Sequence, residues 1–145
     1  MELFELIARE SIRDLVQRYN ANGDSGRFDP MLELFAEGAT MELPNGSYRG
    51  RAEIRAFFER VAKNTREGDR AAYIRHNTST HQIDVLDENR ARGRCYYFVI
   101  TDAGLDHWGR YIDEYRNVDG TWRFWHRKVT TDGAVPGAWS ETAST

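Results

Sequence analysis

Residues 90–131 read RARGRCYYFVITDAGLDHWGRYIDEYRNVDGTWRFWHRKVTT, and the fold turns on this stretch. Tyr, Val, Ile, Thr, Phe and Trp recur over about 90–101, 107–117 and 121–131, residue types that pack well on a pleated surface. Turn chemistry separates the runs. Asp102-Ala103-Gly104 suits a longer connection, and Asp119-Gly120 is a dipeptide favoured in two-residue type I′ hairpins. A further segment of the same kind, near 73–86, precedes them across Asp87-Glu88-Asn89. Successive hairpin-linked segments predict an antiparallel meander, and at ~3.3 Å per residue strands this long form a sheet that must twist and curl.

Upstream the hydrophobic period changes. Ile12, Leu15, Val16 and Tyr19 stand at i, i+3, i+4 and i+7, the stripe of an amphipathic helix. Asn22-Gly23 is suited to ending it, which places Asp24 just past the terminus. Asp29-Pro30 predicts a short second helix with Asp29 as N-cap and Met31, Leu32, Leu34 and Phe35 on its apolar side. A strand over Ala39–Leu43 leads through the turn Pro44-Asn45-Gly46 to a returning strand at Ser47–Arg49. Ile54, Phe57, Phe58 and Val61 mark a third helix from about Arg51 to Asn64, with a loop over Thr65–Arg70. The expected architecture is α+β: a curled antiparallel sheet, a half-barrel cone, packed on three N-terminal helices in the order helix-helix-strand-helix-meander and enclosing a pocket. One domain is expected over 1–132. Residues 133–145 are expected to form a frayed tail, except where Trp139 packs on a neighbour or closes the pocket mouth.

Composition narrows the function. The chain has 145 residues, 40 % of them hydrophobic, and a formal net charge of −3, so it lacks the global basic field that attracts phosphate backbones. Cys95 is the single cysteine and can form no internal disulfide. No run approaches the ~20 apolar residues that span a bilayer, and Glu2 and Glu5 stand where a signal peptide carries base. Neither nucleic acid nor membrane is expected as a partner, and a cytoplasmic location is expected. His76 and His81 lie five apart on one strand, on opposite faces unless a bulge intervenes, which argues against a metal site. Gly23-Asp24-Ser25-Gly26 lacks the spacing of a phosphate-binding loop, and the Gly-x-Ser-x-Gly elbow does not occur. Acid-base chemistry without cofactor or metal is the expectation that is left.

Tyr19, Asp24 and His76 then stand out together, although each has an ordinary structural reading: a core tyrosine, a turn aspartate, a half-exposed strand histidine. His76 shares parity with Ile74 and Thr78, whereas Ile83 and Val85 have the other parity, so a bulge between them is required if both sets face inward. Phe35, Phe57, Phe58, Tyr96, Phe98, Trp108 and Trp125 are candidates for an apolar pocket lining, and equally for ordinary packing.

The series Ile12-Arg13-Asp14-Leu15-Val16, Tyr19, Asp24-Ser25-Gly26-Arg27-Phe28-Asp29, Tyr48-Arg49-Gly50-Arg51-Ala52-Glu53-Ile54, Arg75-His76-Asn77, Asp113-Glu114-Tyr115 and Val118-Asp119-Gly120-Thr121-Trp122 resembles the SnoaL-like branch of the nuclear-transport-factor-two-like superfamily. Within it the functional resemblance is to the scytalone dehydratase, bile-acid dehydratase and hexachlorocyclohexane dehydrochlorinase group. That resemblance implies a cofactor-independent lyase acting on a small, mostly apolar cyclic molecule. His76 would be the base, Asp24 its partner, Tyr19 a donor to substrate oxygen and Arg110 a holder of developing negative charge. The resemblance also implies a homo-oligomer, a trimer rather than a dimer. Two alternatives stay open: an isomerase or polyketide-type cyclase with Asp24 as base, and a non-catalytic binding or assembly subunit.

Overall fold

The computed structural model describes residues 1–68 and 71–143; residues 69 and 70 of the expected loop, and 144 and 145 of the expected tail, lie outside them. Helix α1 (Leu3–Asp24) is followed by α2 (Phe28–Leu32), the hairpin β1 (Phe35–Leu43) and β2 (Gly46–Arg49), and α3 (Gly50–Gly68). The meander is β3 (Ile74–Val85), β4 (Arg90–Thr101), β5 (Gly104–Val118) and β6 (Thr121–Ala134), with a short α4 (Ser140–Ala143) beyond it. These form one curled six-stranded sheet in the order β2-β1-β6-β5-β4-β3, with the helices against its concave face.

Most of these elements lie where the sequence pattern puts them. Asp24 is the last residue of α1 rather than the first beyond it, because the chain turns at Gly26, whose φ is +72°. Asp29 sits inside the first turn of α2 rather than at its cap, with its carboxylate paired to Arg55 of α3. Helix α3 runs on through the start of the expected loop to Gly68; the Thr65 hydroxyl donates to the Val61 carbonyl at 2.8 Å, a back-bond that lets Thr stay helical. The sheet is mixed, not wholly antiparallel, since β1 pairs with β6 in parallel. Parallel neighbours need a long crossover, and here α3 and the first three meander strands supply it.

Strand β3 changes face midway. Its pairing with β4 shifts between Ser79 and Gln82, and Thr80 there has φ +52°. This bulge turns Ile74, His76 and Thr78 to the same concave side as His81, Ile83 and Val85, the offset that the sequence required. Burial alternates regularly along β4 from Arg90 to Val99 and along β5 from His107 to Arg116. Cys95, Tyr97 and Val99 of β4 and Gly109, Tyr111, Asp113 and Tyr115 of β5 are buried, while Tyr96, Phe98, Trp108, Arg110 and Ile112 are exposed on the convex side.

Beneath the cavity described below, Phe35, Phe124, Met31, Met41 and Ile54 are packed without solvent contact. Among them lies a buried ion pair: the Arg127 Nε and Nη2 donate to Asp113 Oδ1 and Oδ2 at 2.8 and 2.7 Å, and the Tyr115 hydroxyl donates to Asp113 Oδ2 at 2.8 Å. The rings of Tyr111, Phe124 and Tyr19 have centroids 3.9, 4.2 and 4.4 Å from the Arg127 guanidinium carbon.

Candidate active site

The C-terminus of α1 meets the start of β3 through one carboxylate. Asp24 Oδ2 accepts the His76 backbone N–H at 2.8 Å, and Oδ1 lies 2.6 Å from His76 Nδ1. A carboxylate only accepts, so Nδ1 carries a proton, and in the neutral ring Nε2 is the nitrogen with the lone pair. Asp24 therefore fixes both the strand end and the ring tautomer. The side chains are 14 % and 21 % exposed, sheltered yet reachable, and both line a cavity of about 540 Å³.

That cavity occupies the mouth of the cone. Phe28 of α2 and Phe57 and Phe58 of α3 form its apolar side, Trp139 its C-terminal side, and His76 and His107 face it from the sheet. The Tyr19 ring reaches the wall, but its hydroxyl is turned to the Met41 sulfur at 3.8 Å. Burial, only partly countered by Arg127, pushes the Tyr19 pKa up to about 12, so the phenol keeps its proton and can only act as a donor or weak acceptor.

Several expected site residues lie elsewhere. Arg110 belongs to the convex parity of β5 and pairs with Asp132, Nε to Oδ2 3.1 Å, so it cannot hold charge in the cavity. Trp108 and Tyr96 share that parity and are 37 % and 55 % exposed. Trp125 is the extra residue where the β5–β6 pairing shifts, and it lies under the Arg116 guanidinium at 3.9 Å rather than in the lining. Phe35 is too deep: it packs against Phe124 and Tyr19 with centroids 5.2 and 6.1 Å away. Of the expected lining, Phe57 reaches the cavity, as does Phe58.

A second carboxylate–imidazole pair escaped the sequence reading. His107 lies in the cavity wall, its Nδ1 2.8 Å from Asp106 Oδ2, and its ring centroid is 6.3 Å from that of His76. Burial holds the His107 pKa below the ordinary imidazole value, opposed by Asp106 and reinforced by His76. Asp106 also accepts the backbone N–H of Trp139 at 2.7 Å and of Ser140 at 3.3 Å. A signal did exist: His76 registers with Val99 and Val99 with His107 across the sheet, so strand pairing alone aligns the two histidines. Neighbours on a strand normally point to opposite faces, however, and here the pairing of β4 with β5 shifts between Val99 and Ile100, leaving Asp106 as the extra residue of a bulge that the returning C-terminal segment covers.

Fold and site together define a class: a curled-sheet cone enclosing a small-molecule cavity with carboxylate-held imidazoles in its wall. The chain belongs to the SnoaL-like domain family, which it matches over residues 5–128, within the nuclear-transport-factor-two-like superfamily. No curated protein matches its sequence. Among solved structures it is similar to Rv3472, a protein of unknown function from Mycobacterium tuberculosis, at 26 % identity and TM-score 0.77, over 90 % of this chain and 75 % of that one. A candidate scytalone dehydratase from Novosphingobium aromaticivorans shares the fold at 23 % identity and TM-score 0.78, over 95 % of each chain. So does a hexachlorocyclohexane dehydrochlorinase from Novosphingobium barchaimii, at 16 % identity and TM-score 0.77, over 94 % of this chain and 96 % of that one. Among the described residues no helix is long and apolar enough to cross a membrane.

Proposed function

We propose that this protein is a cofactor-independent lyase that removes a proton from a carbon beside an activating group of a small, mostly apolar cyclic molecule and expels water or halide. The observation that carries this reading is the Asp24–His76 pair, joined at 2.6 Å in the wall of an aromatic cavity. His76 Nε2 takes the proton, since a neutral imidazole is a competent base near neutral pH. Asp24 holds the tautomer and stabilises the imidazolium as it forms. The Tyr19 hydroxyl rests on a sulfur, a weak acceptor, and a substrate oxygen is a better one. The dehydratase and dehydrochlorinase descriptions of the two fold relatives agree with elimination chemistry. An isomerase or cyclase using Asp24 as base is disfavoured, because the two carboxylate oxygens are each taken by an N–H of His76.

The test is a panel of hydroxylated and halogenated cyclic compounds, followed for formation of the alkene with wild type, His76→Ala and Asp24→Asn. Elimination by wild type and its loss in His76→Ala is the expected result. Activity abolished by Asp24→Asn but retained by His76→Ala would transfer the base to the carboxylate and replace the lyase with the isomerase or cyclase.

A further inference from the structure

We propose that His107, held by Asp106, is the general acid of this site: it protonates the departing hydroxyl while His76 takes the carbon-bound proton. The inference rests on the lyase reading and extends it to the leaving group. His107 is a buried imidazole facing a ligand-sized cavity, and its Nδ1–H is committed to Asp106 at 2.8 Å. Its Nε2, like that of His76, is therefore the atom with proton-transfer capacity. The two ring centroids are 6.3 Å apart and the planes nearly perpendicular, at 86°. Two rings so placed can attend to adjacent carbons of one molecule, one at the C–H bond and one at the C–O bond.

The step balances. The α-proton passes to His76 Nε2, the C–H electron pair becomes the new C=C bond, and the C–O pair leaves with oxygen. That oxygen takes the proton from His107 Nε2 and departs as water. His76 is then an imidazolium and His107 neutral, and transfer of one proton from the first to the second restores the starting state without any further reagent.

The groups around His107 suit this exchange. Asp106 of β5 stabilises its charged form, His76 of β3 opposes a second positive charge nearby, and Tyr97 of β4, with its ring centroid 5.8 Å away, is neutral. Burial makes the His107 imidazolium a stronger acid than free imidazolium, and the acting species is the fraction of molecules in which His107 holds a proton on Nε2 while His76 does not. The Trp139 ring stacks on it at 6.1 Å.

Matched cyclic β-hydroxy and β-chloro ketones separate the roles, because chloride leaves without a proton. Wild type, His76→Ala and His107→Gln are each assayed with both compounds. His107→Gln is expected to lower the hydroxy ketone activity about 100-fold or more relative to that with the chloro ketone, whereas His76→Ala loses both. Equal losses on the two compounds, or none on either, overturn the acid role. In parallel, NMR titration of the histidines reads the pair directly: His107 should titrate at higher pH in His76→Gln than in wild type, and an unmoved midpoint overturns the shared proton. If wild type turns over neither compound, the lyase reading falls by itself, and the titration still decides whether the imidazoles share a proton.

Discussion

Asp24 serves the backbone and the imidazole of the same residue with one carboxylate, and this makes the effect of its replacement specific. In Asp24→Asn the amide oxygen can still accept from one N–H, so the fold is expected to survive, but the imidazolium loses its counter-charge. Turnover should fall by about 10³–10⁴, as read by kcat on a turned-over substrate, with the circular dichroism spectrum unchanged. A second prediction concerns pH. Burial lowers the pKa of both His81 and His107 below the ordinary 6.5. The folded chain therefore stays neutral at these positions where the unfolded chain already takes up a proton, so the stability they contribute is present above 6.5 and is lost as pH falls through that value towards the folded ones. Urea unfolding at pH 7.5 and 5.5 should show a smaller loss in a His81→Gln/His107→Gln variant than in wild type. Arg127 is a third case. Removing one partner of a buried ion pair leaves the other charge uncompensated, and Arg127→Leu should cost about 3–5 kcal/mol, with part of it recovered in Arg127→Leu/Asp113→Leu. At this scale the sequence is informative about chemistry and weak about direction. Asp24 and His76 can be picked out by type and position, but Tyr96 and Tyr97, or Arg110 and Tyr111, are adjacent residues of similar promise, and only packing decides which of each pair faces in.

The bulge in β3 is the element on which the site depends. It lets one strand present His76 to the cavity at one end and Ile83 to the core at the other, and without it one of the two sets would face solvent. Deleting Thr80 should therefore rotate the His76 end out of register, breaking the 2.6 Å contact with Asp24; loss of both activity and several degrees of melting temperature is expected, and a variant that keeps full turnover would sink this account. The need for the bulge was legible in the parity of the sequence, since alternation is a local property. The parallel pairing of β1 with β6 and the anchoring of the C-terminal segment were not. Val135 N–H donates to the Asp106 carbonyl at 2.9 Å and the Trp139 indole N–H to the Thr65 hydroxyl at 3.1 Å, contacts made across the fold by a stretch whose Gly, Pro, Ser and Thr content reads locally as a tail. Strand β6 runs to Ala134, and Trp139 and Ser140 beyond it wall the cavity.

For the molecule as a whole, the convex face of the sheet carries Tyr96, Phe98, Trp108 and Ile112 at the surface, beside helices that cover only the concave one. Exposed apolar patches of this kind mark association surfaces, and closed symmetric assemblies are the common outcome. A homo-oligomer, with a trimer favoured, is the proposal; light scattering at micromolar concentration should return a multiple of 16.8 kDa, and Tyr96→Glu/Trp108→Glu should return the monomer mass. The stacking of Trp139 on His107 has a spectroscopic consequence. A positively charged imidazole close to an indole quenches its fluorescence, so the emission of this one tryptophan should dim on acidification as His107 takes its proton. The difference spectrum between wild type and Trp139→Phe would isolate that signal from Trp108, Trp122 and Trp125, giving the protein a built-in optical indicator of the His107 charge that needs neither substrate nor label.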